Sequence, residues 1–162
     1  LCNTLYSLFF LLFLIKCPLE AQEFFIPPKT WKKNTTLQKS SILSSYQGTA
    51  KNGFSPSLNL AVENIGSLSI EKYLDCVKNL HLKDVNNTSW EYLGSFTTQA
   101  GEASLTQIER RIQGDNPLLI LQLIFVKSPN AYILTASCLK EDFVFFYKDI
   151  KVAFSSFNTH TQ

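Results

Sequence analysis

The sequence predicts an α+β domain: an antiparallel sheet of about six strands between two amphipathic helices, in a three-layer α/β/α sandwich. Three observations support this prediction: short apolar runs with a two-residue period, two longer segments with helical spacing, and turn residues between them. Because each helix has one apolar face, both faces of the sheet must be covered. The sequence shows no internal repeat and no second domain.

The first strands are predicted near the start of this domain. Residues 24–26 are apolar and are stopped by two prolines, which indicates an edge segment because proline cannot donate to a central ladder. Residues 32–41 are polar and predict either a loop or a weak, exposed strand. Residues 42–46 form a candidate strand. Apolar side chains alternate over 58–62 and predict a strand with one buried face.

A helix is predicted after Gly66. Ser67 or Ser69 can cap it, and Glu71 is well placed in its first turn. Its apolar face has helical spacing and consists of Ile70, Tyr73, Leu74, Val77 and Leu80. Cys76 lies on the flank of that face.

Four antiparallel strands and a second helix complete the prediction. The strands are expected at 90–98, 103–112, 118–126 and 131–138, and the third is almost continuously apolar, which indicates a central position. Glu141 and Asp142 suit the start of the last helix. Its aromatic face is interpreted as core packing, and consists of Phe143, Phe146, Tyr147, Ile150, Phe154 and Phe157.

The N-terminal segment indicates export. Residues 5–15 carry no charge and are too short for a spanning helix, which needs about 20 apolar residues, but they suit a signal peptide. We expect residues 1–21 to be a cleaved signal segment, with Gln22 the first residue of a single domain over 22–162. Residues 14–17 also resemble a bacterial lipobox, so Cys17 is a candidate lipidation site.

The charged residues and the cysteines indicate which kinds of function the domain can have. Residues 22–162 contain 14 basic and 12 acidic side chains, scattered along the chain, which argues against nucleic-acid binding. Cys76 and Cys138 are the two cysteines of this domain. In an exported protein they could form a disulfide, or they could be two separate thiols.

Five segments resemble the PsbP-like superfamily, which includes photosystem II extrinsic proteins, the Ran-binding Mog protein and periplasmic proteins of the DcrB type. The segments are residues 25–31 (FIPPKTW), 54–60 (FSPSLNL), 97–103 (TTQAGEA), 131–137 (AYILTAS) and 155–157 (SSF). They cover nearly the whole predicted domain in the correct order. The resemblance implies an antiparallel sheet between helices, and it brings no shared catalytic residues.

The residues predict no catalytic, cofactor or metal site. Only His81 and His160 are present, and a zinc site needs three or four ligands. Cys76 and His81 are five residues apart on one helix and therefore lie on different faces. Glu102 and Asp115 lie beside turn glycines, where acids commonly make local hydrogen bonds. The chain is therefore not expected to be an enzyme or to use a cofactor.

The sequence is compatible with three functions. The leading hypothesis is an exported, periplasmic or envelope-associated protein that binds another envelope protein as an accessory subunit, with contacts at the loops 47–57 and 84–90. In this view the membrane is reached only through the signal segment or a lipid anchor. The second is a small-ligand or lipid carrier with an apolar pocket between helix and sheet. The third is an unrecognised hydrolase.

Overall fold

The computed structural model describes residues 23–36, 41–112 and 116–159. The expected signal segment, including Cys17 and Gln22, lies outside the described residues, as do residues 37–40, Asp115 and His160. The elements in chain order are β1 (Lys32–Lys33), β2 (Ile42–Gln47), β3 (Ser57–Asn64), α1 (Ile70–Lys83), β4 (Asn87–Thr98), β5 (Gly101–Arg110), β6 (Leu118–Lys127), β7 (Asn130–Leu139) and α2 (Phe143–Ser155).

The strands form one antiparallel sheet in the order β1-β2-β3-β7-β6-β5-β4. Each strand from β4 to β6 pairs with the next strand along the chain, as the turn residues predicted. The sequence predicted a central position for residues 118–126. The corresponding strand, β6, is an interior strand, but the middle of the sheet is occupied by β7. β7 takes this position because it pairs with β3 on its other side, although β3 comes much earlier in the chain.

The described sheet has seven strands, where the sequence predicted about six. The additional strand is β1, in which Lys32 and Lys33 pair with Gln47 and Tyr46 of β2. Two lysines give no apolar alternation, so the pattern could not separate a strand from a loop here. The pairing is set by the neighbouring strand rather than by the local sequence.

The main core lies between α2 and the sheet. Phe154 and Phe157 are 2% and 1% exposed, and they pack with strand residues such as Leu58 and Leu134. Even-numbered residues of β7 point to this side because side chains alternate along a strand. The interpretation of the aromatic stripe as core packing holds for these residues, whereas Tyr147 is 47% exposed.

A smaller cluster lies on the opposite face of the sheet, under α1. It contains Tyr73 of α1 and Ile124, Ala131 and Ile133 of the strands. Further along this face, β2 and β3 carry Ser45 and Asn59, whose side chains share a 2.6 Å hydrogen bond. In the expected three-layer sandwich, α2 therefore covers its face of the sheet with a large core, whereas α1 covers only part of the opposite face.

The start of the described chain is bound to the end of α2. The Ile26 amide donates a 2.8 Å hydrogen bond to Ser156 Oγ, and the Asn158 amide donates to the Phe24 carbonyl at 2.8 Å. Phe25 between them is buried in the main core. The apolar segment expected at an edge thus packs beside α2. Among the helices of the described ranges, none has the length and apolar content needed to cross a membrane.

Candidate functional site

Three exposed apolar side chains lie around the end of α1: Leu80 and Leu82 on different sides of its last turn, and Val85 on the turn that follows. Leu80 is 69% exposed, Leu82 is 54% exposed and Val85 is 88% exposed. Leu80 was expected on the buried face of the helix, and its exposure corrects that expectation: α1 lies on the sheet through Ile70, Tyr73, Leu74 and Val77 instead. We call Leu80, Leu82 and Val85 the α1-end surface.

Hydrogen bonds hold the turn that carries Val85. The Asp84 carboxylate accepts from the Asn86 amide at 3.0 Å, and the Asn87 amide donates to the Asp84 carbonyl at 2.9 Å. The Arg111 amide donates to the Asn86 carbonyl at 2.7 Å. Both neighbours of Val85 are therefore fixed, and its side chain has little backbone freedom left to lose on binding.

The Asp84 carboxylate connects this turn to the sheet. Its Oδ2 lies 2.9 Å from Nη1 of Arg110 on β5. The hydrogen bond from the Asn86 amide lowers the pKa of Asp84, and the Arg110 charge lowers it further. Asp84 is therefore ionised at neutral pH, so the turn stays attached there.

A polar cluster lies under the last turn of α1. Asn87 Nδ2 donates to the His81 carbonyl at 2.9 Å and lies 3.4 Å from the His81 Nδ1. Burial lowers the pKa of His81 below its usual 6.5, although the neighbouring Gln122 side chain opposes this. Thr106 is fully buried beside this cluster on the same face of the sheet, opposite Gln122. His81 is therefore neutral at pH 7. Together with Asn87 it forms part of the polar cluster that supports the turn.

The predicted contact segment 84–90 is thus shorter than expected. Only residues 84–86 form the turn, because β4 begins at Asn87. The sequence pattern selected the segment but did not single out Val85, which is 88% exposed within it. The available signal was a single β-branched apolar residue in the otherwise polar run 83–87.

The second predicted contact segment, 47–57, lies against the start of α2. Asn52 Nδ2 donates to Glu141 Oε1 at 3.1 Å and to Asp142 Oδ1 at 3.0 Å. Lys51 Nζ lies 3.6 Å from Asp142 Oδ1 and 2.9 Å from the centre of the Phe145 ring. This loop is therefore bound to the start of α2 through Asn52 and Lys51.

The cysteines of the domain do not meet in the structure. Cys76 is exposed on α1, and Cys138 is 2% exposed on β7; both are free thiols. Cys138 alternates with residues of the main core and so faces α2, on the opposite side of the sheet from α1. The two side chains therefore lie on opposite sides of the sheet, and whether they are joined in the exported protein stays a prediction. The lipidation site predicted at Cys17 lies outside the described residues.

The apolar pocket expected of a carrier is not found between α2 and the sheet in the described core. Phe154, Phe157 and Leu134 fill that space and are almost fully buried. A groove of about 430 Å³ lies between the start of α1 and the sheet, with Glu71 in its lining. Another groove, of about 500 Å³, lies at the surface beside α2, where Lys148 and Lys151 contribute to its lining.

The residues considered for chemistry remain apart. His81 contacts the polar cluster, whereas Cys76 is exposed on the same helix. Glu102 accepts a 2.6 Å hydrogen bond from Thr97 Oγ1 across the β4–β5 hairpin, which is the local bond expected beside a turn. Across residues 23–36, 41–112 and 116–159, no three His, Cys, Asp or Glu side chains come together as metal ligands would.

The sheet and its two helices define an α+β protein whose main core lies under α2 and whose surface features are candidates for binding. Solved structures of this fold include LpqN, which is involved in cell envelope biogenesis of Mycobacterium tuberculosis. It matches with a TM-score of 0.56 and 12% identity, over 80% of this chain and 78% of that one.

Two structures of Mog1 match as well. The Saccharomyces cerevisiae Ran-binding protein Mog1p has a TM-score of 0.51 and 12% identity, over 76% of each chain. A Mog1 point mutant has a TM-score of 0.51 and 13% identity, over 81% of this chain and 80% of that one.

These likenesses establish the fold. No protein-family model matches the chain, and no curated protein matches it at the level of sequence. Mog1 was among the proteins that the sequence resemblance named, so the antiparallel sheet with helices that the resemblance implied is confirmed. Membership of the superfamily stays a prediction.

Proposed function

We propose that this protein is a non-catalytic accessory protein of the cell envelope that binds another envelope protein through the α1-end surface. The observation that carries the proposal is Val85, which is 88% exposed at the tip of a hydrogen-bonded turn. A rigid apolar side chain of this kind can enter an apolar pocket of a partner with a small loss of conformational freedom.

Two further observations support the proposed location and role. The uncharged run 5–15 favours export, with a mature chain that begins at Gln22 or is attached to the membrane through Cys17. LpqN, which has the same fold, is involved in cell envelope biogenesis, and Mog1p is a Ran-binding protein. Proteins of this fold therefore include one involved in cell envelope biogenesis and one that binds another protein.

The carrier and hydrolase hypotheses have less support. Phenylalanine side chains fill the space between α2 and the sheet, which leaves no room there for an apolar ligand. The packed core and the exposed turn together favour a binding protein.

Photo-crosslinking in the producing cell tests this proposal. Benzoylphenylalanine replaces Val85 in one variant and Val144 in the other, since Val144 is also highly exposed, at 73%, but lies on α2. We expect Val85→benzoylphenylalanine to give one reproducible adduct in the envelope fraction, identified by mass spectrometry. Val144→benzoylphenylalanine should not give that adduct.

A second variant tests the chemistry of the contact. Val85→Asp places a charge at the tip of the turn, so a probe at Leu82 should lose the same adduct while the protein stays folded. Identical adducts from positions 85 and 144, or an unchanged adduct in the Val85→Asp background, would contradict the proposal. A chain found only in the cytoplasmic fraction would contradict the location.

A further inference from the structure

The outward side of α2 is both apolar and basic. Phe145 is 62% exposed and Val152 is 51% exposed, and Ile26 of the adjoining N-terminal segment is 57% exposed. Lys148 and Lys151 lie between them on the helix and are exposed. We call this the α2 surface, and it consists of Ile26, Lys29, Phe145, Lys148, Lys151 and Val152.

Two grooves flank Val152 on this surface. One has a volume of about 500 Å³ and includes Lys148 and Lys151 in its lining. The other has a volume of about 290 Å³ and runs between the helix and the N-terminal segment, with Ile26 and Lys29 in its lining. Val152 lines both grooves, so the surface is a ridge with open, shallow sides rather than a closed ligand cavity.

The charge of the α2 surface favours an anionic binding partner. Within the described ranges, Lys29, Lys148 and Lys151 take part in none of the ion pairs. Asp149 is the acidic side chain that lies among them, beside Ile26 and Lys29. Three lysines against one aspartate leave a local excess of positive charge, and a helix with lysines among apolar side chains suits the interface of an anionic bilayer.

The described chain begins beside α2, so an attachment of the preceding residues to a membrane would hold the same side close to it. The described residues begin at Glu23, and Phe24 and Ile26 are hydrogen-bonded to the end of α2. Cys17 precedes Glu23 by six residues and Ile15 precedes it by eight, which at full extension is at most about 22 Å and 29 Å. Any membrane attachment through the apolar run or Cys17 therefore keeps α2 near the bilayer.

We propose that the α2 surface rests on the surface of an anionic phospholipid bilayer. Phe145, Val152 and Ile26 enter the boundary between headgroups and acyl chains, and the lysines contact lipid phosphates. The α1-end surface lies on the other side of the sheet and stays accessible to a partner. This inference goes beyond the proposed function: it uses a different face of the sheet, and it shares with the proposed function only the expected location at the envelope.

Vesicle co-sedimentation tests the inference with the chain as it is recovered from the producing cell. The probes are vesicles of phosphatidylcholine mixed with phosphatidylglycerol, and vesicles of phosphatidylcholine alone. We expect binding to the anionic vesicles at low ionic strength and a large loss at high salt, because exposed charges are screened. Lys148→Glu with Lys151→Glu should weaken this partitioning by at least about tenfold.

The matched control makes the same change of charge on α1. Lys72→Glu with Lys83→Glu should leave partitioning within about twofold of the unaltered chain, because these residues lie on the opposite side of the sheet. Their effects on the helix dipole oppose each other, since one is near each end of α1. Near-UV circular dichroism shows whether both double variants keep the native packing.

The position of the contact is tested with Val152→benzoylphenylalanine in the same anionic vesicles. Adducts to phospholipid support the inference. Equal weakening by the α1 and α2 charge reversals, or equal binding to neutral and anionic vesicles, would overturn it. An adduct to an envelope protein in place of phospholipid, in native membranes, would also overturn it and would assign the α2 surface to a protein partner.

Discussion

The Tyr73 hydroxyl of α1 donates a 2.6 Å hydrogen bond to Glu63 Oε2 of β3. Tyr73 is 6% exposed and belongs to the small cluster between α1 and the sheet. Burial, followed by the nearby Glu63 carboxylate, raises the pKa of Tyr73 above its usual range. The phenol therefore stays protonated and ties the partial helical layer to the sheet.

Removal of this hydrogen bond should loosen α1. We expect Tyr73→Phe to lower the free energy of unfolding by about 1–2 kcal/mol, because the acceptor is charged but partly exposed. Urea unfolding of Tyr73→Phe, Glu63→Gln and the double variant measures the coupling. Tyr147→Phe on the exposed side of α2 is the control and should change stability by less than about 0.5 kcal/mol. Fully additive effects at 73 and 63 would contradict the bond.

Two phenylalanines of the α2 region should differ strongly in their contribution to stability. Phe154→Ala removes a side chain that is 2% exposed in the main core, and we expect a loss of about 3–5 kcal/mol. Phe145→Ala removes a side chain that is 62% exposed and should cost less than about 1 kcal/mol. Thermal or urea unfolding measures both. Similar losses in the two variants would contradict the assignment of inward and outward sides of α2.

Gly48 marks a close approach between the loop after β2 and the N-terminal segment. A Cβ at this position would lie 2.8 Å from Pro56 Cγ and 2.9 Å from Trp31 Cε2. We expect Gly48→Ala to cost about 1–3 kcal/mol through overpacking. Trp31→Phe in the same background should recover part of that loss of stability, because the phenyl ring is smaller than the indole and leaves space for the added methyl group. A neutral Gly48→Ala variant would show that this contact is looser than the structure has it.

The two cysteines should react at different rates. Burial raises the pKa of the Cys138 thiol to about 11, and the Asp142 charge adds to this, so little thiolate forms at neutral pH. Cys76 is exposed on α1. Maleimide should therefore label Cys76 in the folded protein and Cys138 only after unfolding, as peptide mapping would show. Protection of both thiols until reduction would instead indicate a disulfide between them.

Protonation of His81 should destabilise the end of α1. Its pKa in the folded state is below the usual 6.5, so the unfolded state takes up a proton first as the pH falls through about 6.5. The free energy of unfolding should therefore decrease from about pH 7.5 toward pH 5. His81→Gln should have a weaker dependence over this interval in urea titrations. An identical dependence in the variant would assign the effect to other groups.

Most of the fold follows from local patterns in the sequence. The two-residue period found β3, and the apolar runs found β6 and β7, because a strand with a buried face must alternate and a strand buried on both faces cannot. The predicted helix start at Ser69 also holds, since Ser69 Oγ accepts from the Lys72 amide at 3.4 Å. For β1 the sequence leaves a strand and a loop equally possible, because its two lysines show neither an alternating nor an apolar pattern.

The candidate site was predictable only in part. The sequence selected residues 84–90 as a contact segment, yet it gave Leu80 a place on the buried face of α1. A helical face that spans about 100° allows several rotations against a sheet, and the contacts of Tyr73 with Glu63 and the strands decide which one is used. The same uncertainty applied to α2, where Val144 and Phe145 extend the apolar pattern beyond the buried stripe.

The sequence by itself determined the class of fold and the order of its helices and longer strands, because each depends on short-range periodicity. Only the tertiary structure decided that α1 covers part of one face, that Cys76 and Cys138 lie on opposite sides of the sheet, and that Ile26 joins Val152 on one surface. These relationships join residues far apart in the chain, and they depend on how the helices pack on the sheet, which local periodicity does not specify.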